Sequence, residues 1–460
     1  MRFRFCLSLF PLLIAAGFAQ ADEIDDFILA QMKAQQIPGL TILVKQNGKV
    51  VKRKAYGVTD VEKNTPAEVD TVYETGSIGK SFTAALLMQM VQQRKLNLDD
   101  PLEKHLDAMP AAWKGVTLRH MVMHQSGLPE YALIEGIGLA DTYTREKFMS
   151  TITAVPLDFQ PGDMFAYSNT NFALLGYILE NLAKKPFKDL IASQVFQRAG
   201  MPNTSLMAGG PKPAKLAKGY LMEGTQRITD LQSGASGSGA DGAFTSTVDD
   251  LIRFAEAMEL GKLLPKMTVD LMQSAPVTGA NHRSQYGYGW FTRKINGLRF
   301  ISHGGNSVGY SAGLSIFPDS GLKIAMMCNL YPVSGDNFTR QIAEFYDPRL
   351  KSTSMKVQRD PHPKLTDLII QAAQAVAAGD VENRLIDPIF AQSLKASRAQ
   401  LSRGAYALFA KVTKLEYLMT EEESPDKVIR YRTQIDGKNY ATIFTVTPQN
   451  RLLSLAIRAE

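Results

Sequence analysis

The run GLTILVKQNGKVVKRKAYGV (residues 39–58) alternates apolar and polar side chains on both sides of Asn47-Gly48. Asn-Gly tolerates the positive φ values that a two-residue hairpin turn demands, so the stretch predicts two antiparallel strands. A lone hairpin is marginal in water and needs further strands beside it. Candidates return only from Tyr286 onward, as YGYGWFTR, GLRFISHGG, YSAGLSIFP and LKIAMMCNLY, with Pro318-Asp319-Ser320-Gly321 as the turn between the last two. Between the two strand regions lie helical patterns and loops: VTLRHMVMHQSGL, TREKFMSTITAV, NFALLGYILENLAKK and TSTVDDLIRFAEAMELG. Thr247 and Asp250 open the last of these as an acidic variant of the capping box. Strands first, helices inserted and strands last predict an α+β fold. One antiparallel sheet is built from the N- and C-terminal parts of the main domain, with helices packed on it and a helical subdomain inserted.

The main domain is expected over residues 22–350. The polar, proline-containing STSMKVQRDPHPK marks a linker at 351–363. Beyond it, LTDLIIQAAQAVAAG reads as a helix, and VIRYRTQIDGKNYATIFTV as a hairpin turning on Asp436-Gly437. Residues 364–460 therefore read as a small α+β accessory domain of ordinary domain size.

Residues 1–21 carry Arg2 and Arg4, a short apolar stretch and Ala19-Gln20-Ala21, the pattern of a secretory signal peptide, with an uncleaved anchor as the alternative. No other stretch approaches eighteen consecutive apolar residues, so no stable membrane span is expected in the mature chain. Removing the leader takes the formal charge from +6 to +4, since it holds two arginines and no acid. That balance suits solubility or contact with anionic envelope polymers, and no Lys/Arg stripe suggests nucleic acid. Cys6 falls in the leader, which leaves Cys328 alone and no internal disulfide. A periplasmic or secreted bacterial protein is the expectation.

ETGSIGKSFTA (residues 74–84) sets Ser77 and Lys80 three apart at the head of an apolar run with helical period. Alone, S-x-x-K says little, because roughly two are expected by chance at ordinary residue usage and the chain holds three. Ser320-Gly321-Leu322-Lys323 straddles a turn, and Ser424-Pro425-Asp426-Lys427 contains a proline. Only Ser77 and Lys80 can share one helical face. A serine there is most often a cap. The macrodipole, however, disfavours a cation in the first turn, which suits the amine of Lys80 to accept a proton from a neighbouring hydroxyl.

Two further stretches could supply partners. Tyr167-Ser168-Asn169, just before a helix, puts a phenol and an amide two residues apart on a loop; a packing aromatic beside a cap is the bland reading. His303-Gly304-Gly305 ends a strand, where paired glycines allow a peptide-like substrate close to the edge, or simply make a turn.

Together and in this order, these motifs resemble the serine β-lactamase and penicillin-binding-protein superfamily. The variant, with tyrosine in the second motif and histidine in the third, is similar to class C β-lactamases and related DD-peptidases, D-aminopeptidases and family VIII carboxylesterases. The resemblance covers about residues 25–348 and extends to VTLRHMVMHQSGLPEY, GADGAFTSTVDDLIRF and YGYGWF. It implies that Ser77 is the acylated nucleophile and that Lys80 and Tyr167 share the general base. Asn169 would bond Lys80 and the substrate amide, and Tyr131 would join the substrate-binding set. His303, Gly304 and Gly305 would line the strand side. The backbone N–H groups of Ser77 and Asn306 would form the oxyanion hole. No metal and no cofactor are implied.

The best-known β-lactamases of that superfamily carry lysine, then threonine or serine, in the third motif. His303-Gly304 removes a permanent cation and a hydroxyl where a β-lactam carboxylate would bind. An exported serine hydrolase working through an acyl-enzyme on a small ester, a D-amino-acid peptide or another amide is thus the expectation. A β-lactamase, and a non-catalytic protein binding peptidoglycan or another partner, are the alternatives. Gly305-Asn306-Ser307-Val308-Gly309 also matches the G-x-S-x-G elbow, yet a strand-like run follows it where that motif needs a helix. His120 and His124 have a zinc-like spacing without a glutamate between them or a third ligand, so packing or capping is expected.

Overall fold

The structure is a computed structural model. It describes all residues except 1–11, 139–140, 142, 208–212, 224–225, 229–236, 277–283, 352–354, 397–405, 424–425 and 460. The first half of the expected leader therefore lies outside the described residues, and the second half belongs to helix α1 (Leu12–Gln35). No helix among the described residues is long and apolar enough to cross a membrane.

Strands β1 (Gly39–Gln46) and β2 (Lys49–Asp60) form the first hairpin, with Asn47 and Gly48 at φ 49° and 78°, as the dipeptide requires. The short β3 (Thr65–Pro66) and β4 (Tyr73–Glu74) lead to helix α2 (Gly79–Gln92). The middle region holds α3 (Leu118–Val122), α4 (Arg145–Ile152), α5 (Asn169–Ala183), α6 (Phe187–Ile191) and α7 (Gln197–Ala199). Short strands β5 (Ser205–Leu206), β6 (Tyr220–Glu223), β7 (Gln226–Ile228) and β8 (Phe244–Ser246) follow, then α8 (Val248–Glu259) and α9 (Lys266–Met272). The chain returns to the sheet with β9 (Phe291–Ile295), β10 (Leu298–Ser307), β11 (Tyr310–Phe317) and β12 (Leu322–Cys328), and leaves by β13 (Leu330–Tyr331) and α10 (Gly335–Tyr346).

The main sheet has the order β3-β2-β1-β12-β11-β10-β9, and its bonded neighbours are antiparallel, so strands from both ends of this region do meet in one sheet. Both faces of its centre are covered. Leu40, Ile42, Val44, Ile324, Met326 and Cys328 pack in one apolar cluster with Ile24 and Ile28 of α1 and Phe338 and Ile342 of α10. Leu43, Leu314, Ala325 and Met327 face the other way, into the cluster built on α2, α5 and α8. A strand buried on both faces has no polar alternation, which explains the unbroken apolar run IAMMC (residues 324–328). Helix α2 is itself buried from Gly79 to Met90, and Phe82 meets Phe196, Phe244 and Phe254 edge-on at 5.6, 5.6 and 4.7 Å.

Of YGYGWFTR only the part from Phe291 is strand; Gly287 and Gly289 instead carry the chain closely past Met272 and Ala84. The middle region also contains a ribbon of β4, β8 and β5 that the sequence reading leaves out. Strands of two or three residues carry no periodicity to detect.

Beyond residue 350, α11 (Pro363–Ala378), α12 (Pro388–Ala396) and the antiparallel sheet β14 (Glu416–Glu423), β15 (Asp426–Ile435), β16 (Lys438–Val446) and β17 (Leu452–Ala459) share an apolar cluster of their own. Asp436 and Gly437 turn the β15–β16 hairpin at φ 49° and 77°. The segment expected as a linker is not a bare tether: Gln358 N donates to Tyr417 O on β14 at 2.8 Å.

Candidate active site

A single 3-10 turn, Gly76–Ile78, precedes α2, so Ser77 lies just outside the α-helix and Lys80 in its first turn. Neither Thr75 nor Ile78 makes a side-chain cap there. Ser77 Oγ instead receives a hydrogen bond from Lys80 Nζ at 3.1 Å. Lys80 is fully buried. Its amine also reaches Asn169 Oδ1 and the backbone oxygen of Asp241, each at 2.6 Å. Two acceptors at short range and one hydroxyl suit both protonation states: an ammonium donates to all three, and a free amine donates to two and accepts from the serine.

Close backbone approach brings this turn against β10. Gly76, at φ 50°, has Asn306 N only 2.5 Å from where a Cβ would stand. At Gly305 a Cβ would meet Thr75 O at 1.8 Å and Ser77 N at 3.1 Å. β9 pairs with β10 only as far as Ser302, so among the described residues no strand pairs with 303–307 on the side of Ser77. The Asn306 side chain is spent on Ser311 Oγ at 2.7 Å and, with its amide nitrogen turned inward, on Val333 O at 3.1 Å. Its backbone is what the edge offers. Ser307 pairs with Tyr310 across the turn at Val308-Gly309, so the G-x-S-x-G match is a strand hairpin with no helix after the serine.

Tyr167 precedes α5. Its ring lies 4.9 Å from Lys80 Nζ and stacks on His124 with 4.3 Å between centroids, while its buried hydroxyl has no hydrogen-bond partner. His124 accepts from Ser168 N–H at Nδ1 (3.1 Å), which places its proton on Nε2. Burial, then the nearby charge of Lys80, holds His124 well below the ordinary histidine range. His120 joins Thr117 in a reciprocal cap on α3. Among the described residues no group of three or more His, Cys, Asp or Glu could hold a metal ion.

His303 is 1% exposed and faces inward from β10. Nδ1 lies 2.7 Å from Gly304 O and Nε2 lies 2.9 Å from Tyr286 Oη. A carbonyl only accepts, so Nδ1 carries the proton and the tyrosine donates to Nε2. Burial and the charge of Lys80 push this imidazole down to about 3, so it is neutral. On the other side of the strand, Asp336 Oδ1 stands 3.5 Å from a Cβ position at Gly304 and its Oδ2 accepts from Arg293 at 2.8 Å.

Tyr131, expected in the substrate-binding set, lies beside Asp241. It is 4% exposed, and its hydroxyl donates to Asp241 Oδ2 at 2.6 Å. Its neighbour Glu130, which sequence reasoning passed over, meets the site directly. Glu130 Oε2 accepts from Asn169 N at 2.5 Å, and Oε1 from Asn169 Nδ2 at 3.0 Å and Ala132 N at 2.9 Å. Burial raises Glu130 above the usual carboxylate range, while these donors and the charge of Lys80 oppose that. A single acid among loop residues has no pattern; the signal was the need of a buried lysine for a counter-charge.

Comparisons with known proteins bear on the fold and the family. A family model described as Beta-lactamase matches residues 24–346. Protein flp of Staphylococcus aureus (strain NCTC 8325 / PS 47) is 26% identical over 317 residues, 67% of this chain and 63% of that protein. The chain thus spans less than two thirds of that relative's length. A D-stereospecific amidohydrolase from Streptomyces sp. shares 25% identity at a TM-score of 0.55, over 68% of this chain and 94% of that one. The octameric penicillin-binding protein homologue from Pyrococcus abyssi is 19% identical with a TM-score of 0.63, over 95% of this chain and 100% of that one, a likeness of fold that takes in nearly the whole molecule.

Proposed function

The chain belongs to the β-lactamase family, and from that premise we propose that it is an exported serine hydrolase that carries an acyl group on Ser77 and turns over a small ester or a D-amino-acid amide or peptide. The observation that carries this reading is the Lys80 amine, buried, 3.1 Å from Ser77 Oγ and anchored on Asn169 and Asp241.

In this mechanism the Ser77 proton passes to the Lys80–Tyr167 pair as Oγ attacks the substrate carbonyl. The base is this pair, with the amine 4.9 Å from the centre of the tyrosine ring. The new oxyanion is received by the N–H groups of Ser77 and Asn306. If Ser307 and Tyr310 close the hairpin as a bonded pair, antiparallel alternation turns Asn306 N–H to the free edge of β10. Aimed donors of this kind contribute roughly a hundred- to thousandfold in rate each. The leaving group takes its proton back from the pair, and water, activated the same way, releases the acyl group.

The charges along the strand edge bear on the substrate class. Among the described residues, a neutral His303, a Gly304 without a hydroxyl and the Asp336 carboxylate beside it offer no free cation for a substrate carboxylate. That disfavours β-lactams and free C-terminal peptides relative to esters and amides. The amidohydrolase likeness supports D-amino-acid amides as one arm.

The test is labelling with a fluorophosphonate and turnover of p-nitrophenyl butyrate, a D-amino-acid amide and nitrocefin. Expected are an adduct on Ser77, none in S77A, and ester or amide turnover well above nitrocefin turnover. Fast nitrocefin hydrolysis would reverse the substrate ordering. Absence of any adduct would make the protein a non-catalytic binder of the envelope.

A further inference from the structure

We propose that Glu130 is a positioning residue that locks the Asn169 amide oxygen onto Lys80 and, through its charge, sets the proton balance of the Lys80–Tyr167 pair. This rests on the acyl-enzyme reading above and adds a residue to it.

The geometry leaves one orientation for Asn169. Its main-chain N–H and its Nδ2 both donate to Glu130, at 2.5 and 3.0 Å, so Oδ1 must face the other way, where Lys80 Nζ meets it at 2.6 Å. The result is a chain of ammonium, amide and carboxylate in which the amide dipole is aligned between two opposite charges. Ala132 N–H supplies a third donor to Glu130, so its hydrogen-bond partners and the charge of Lys80 favour the ionised form against the burial that raises it. The bond to Asn169 N–H also fixes the first residue of α5 and so the loop that delivers Tyr167.

Several charged and titratable groups face Lys80. Tyr167 presents its ring face at 4.9 Å. Asp241 gives Lys80 its backbone oxygen, while its carboxylate accepts from Tyr131 and keeps its charge. His124, after α3, and His303, on β10, are buried and neutral. Glu130 is set apart by its link to the amine through one fixed dipole, the Asn169 amide.

The experiment is the pH dependence of fluorophosphonate labelling at Ser77 in the full-length wild type, E130Q and E130D. Labelling should rise with pH along an acid limb as the pair loses a proton. With the carboxylate gone in E130Q, the limb is expected to move to lower pH by roughly one unit, with a slower plateau because Asn169 is released. E130D keeps the charge at shorter reach, so its limb should stay in place while its plateau falls about tenfold or more. A rate loss in E130Q that is equal at every pH, or a limb moving upward, would overturn the proposal. Should E130Q fail to fold, E130D decides alone: a displaced limb or an unchanged plateau overturns it. No labelling in the wild type would refute the acyl-enzyme reading itself, a different failure.

Discussion

Tyr286 donates its hydroxyl hydrogen to Nε2 of His303 at 2.9 Å, because the other ring nitrogen gives its proton to the carbonyl of Gly304 at 2.7 Å. With both nitrogens committed and the ring 1% exposed, His303 cannot take up a second proton without breaking a bond.

Stability should record this. In the unfolded chain His124 and His303 protonate near the ordinary value, about 6.5. Folded, they resist protonation far below that, down to about 3 for His303. Between those limits the unfolded state binds more protons, so this contribution is complete above about pH 6.5 and shrinks as pH falls, by about 1.4 kcal/mol per unit for each group. Asp25, Asp100 and Asp347, held near 2, lose their share only at lower pH. Urea unfolding at pH 7.5, 6 and 5 should show the decline, and H303N should show it reduced by one histidine's share. Equal stability at all three values would contradict the assignment.

Tyr167→Phe should separate catalysis from folding. The hydroxyl is buried with no partner, so its removal is expected to change stability by less than about 1 kcal/mol. Ester turnover should nevertheless fall by about two to four orders of magnitude, the usual contribution of a positioned acid–base group. Wild-type turnover with an unchanged melting temperature would take Tyr167 out of the chemistry.

The legible parts of this molecule were those whose chemistry is local. Asn47-Gly48 and Asp436-Gly437 announced their turns because few other residues accept positive φ at both positions. The helical spacing of Ser77 and Lys80 announced a shared face. Glu130 was not legible, since its meaning lies in Asn169, 39 residues away, and nothing periodic joins them. The surroundings of Tyr131 were hidden for the same reason. Adjacent residues in a loop point in different directions, and Asp241, 110 residues on, claims its hydroxyl.

The C-terminal unit docks on the β9–β10 hairpin through a buried ion pair. Arg430 Nη2 reaches Glu421 Oε2 at 3.4 Å and Lys294 O at 2.7 Å, while Glu421 Oε1 accepts from Gly297 N at 2.9 Å. Glu421→Ala would leave Arg430, 7% exposed, without its counter-charge, a loss of about 3–5 kcal/mol for a pair of this kind. Thermal unfolding should begin earlier and limited proteolysis around residues 355–362 should accelerate, with Ser77 labelling at 25 °C retained. Unaltered unfolding would mean that the pair holds nothing together.

Gly304 and Gly305 offer the sharpest contrast, because they are neighbours with opposite surroundings. A methyl at Gly304 would have its nearest atom, Asp336 Oδ1, at 3.5 Å, ordinary contact distance. A methyl at Gly305 would lie 1.8 Å from Thr75 O and 2.9 Å from its carbon. That obstacle is backbone, and it cannot retreat without carrying Ser77 with it. G304A is therefore expected to fold and to label at Ser77 within a few-fold of wild type. G305A must push the nucleophile turn away from β10, separating the Ser77 and Asn306 N–H groups, and should lower labelling by about a hundredfold or more, the contribution of one oxyanion donor. Circular dichroism on both variants distinguishes a displaced turn from a lost fold. Equal labelling of the two would mean that the turn and the strand need not touch for the serine to react, and the oxyanion assignment would fall with that contact.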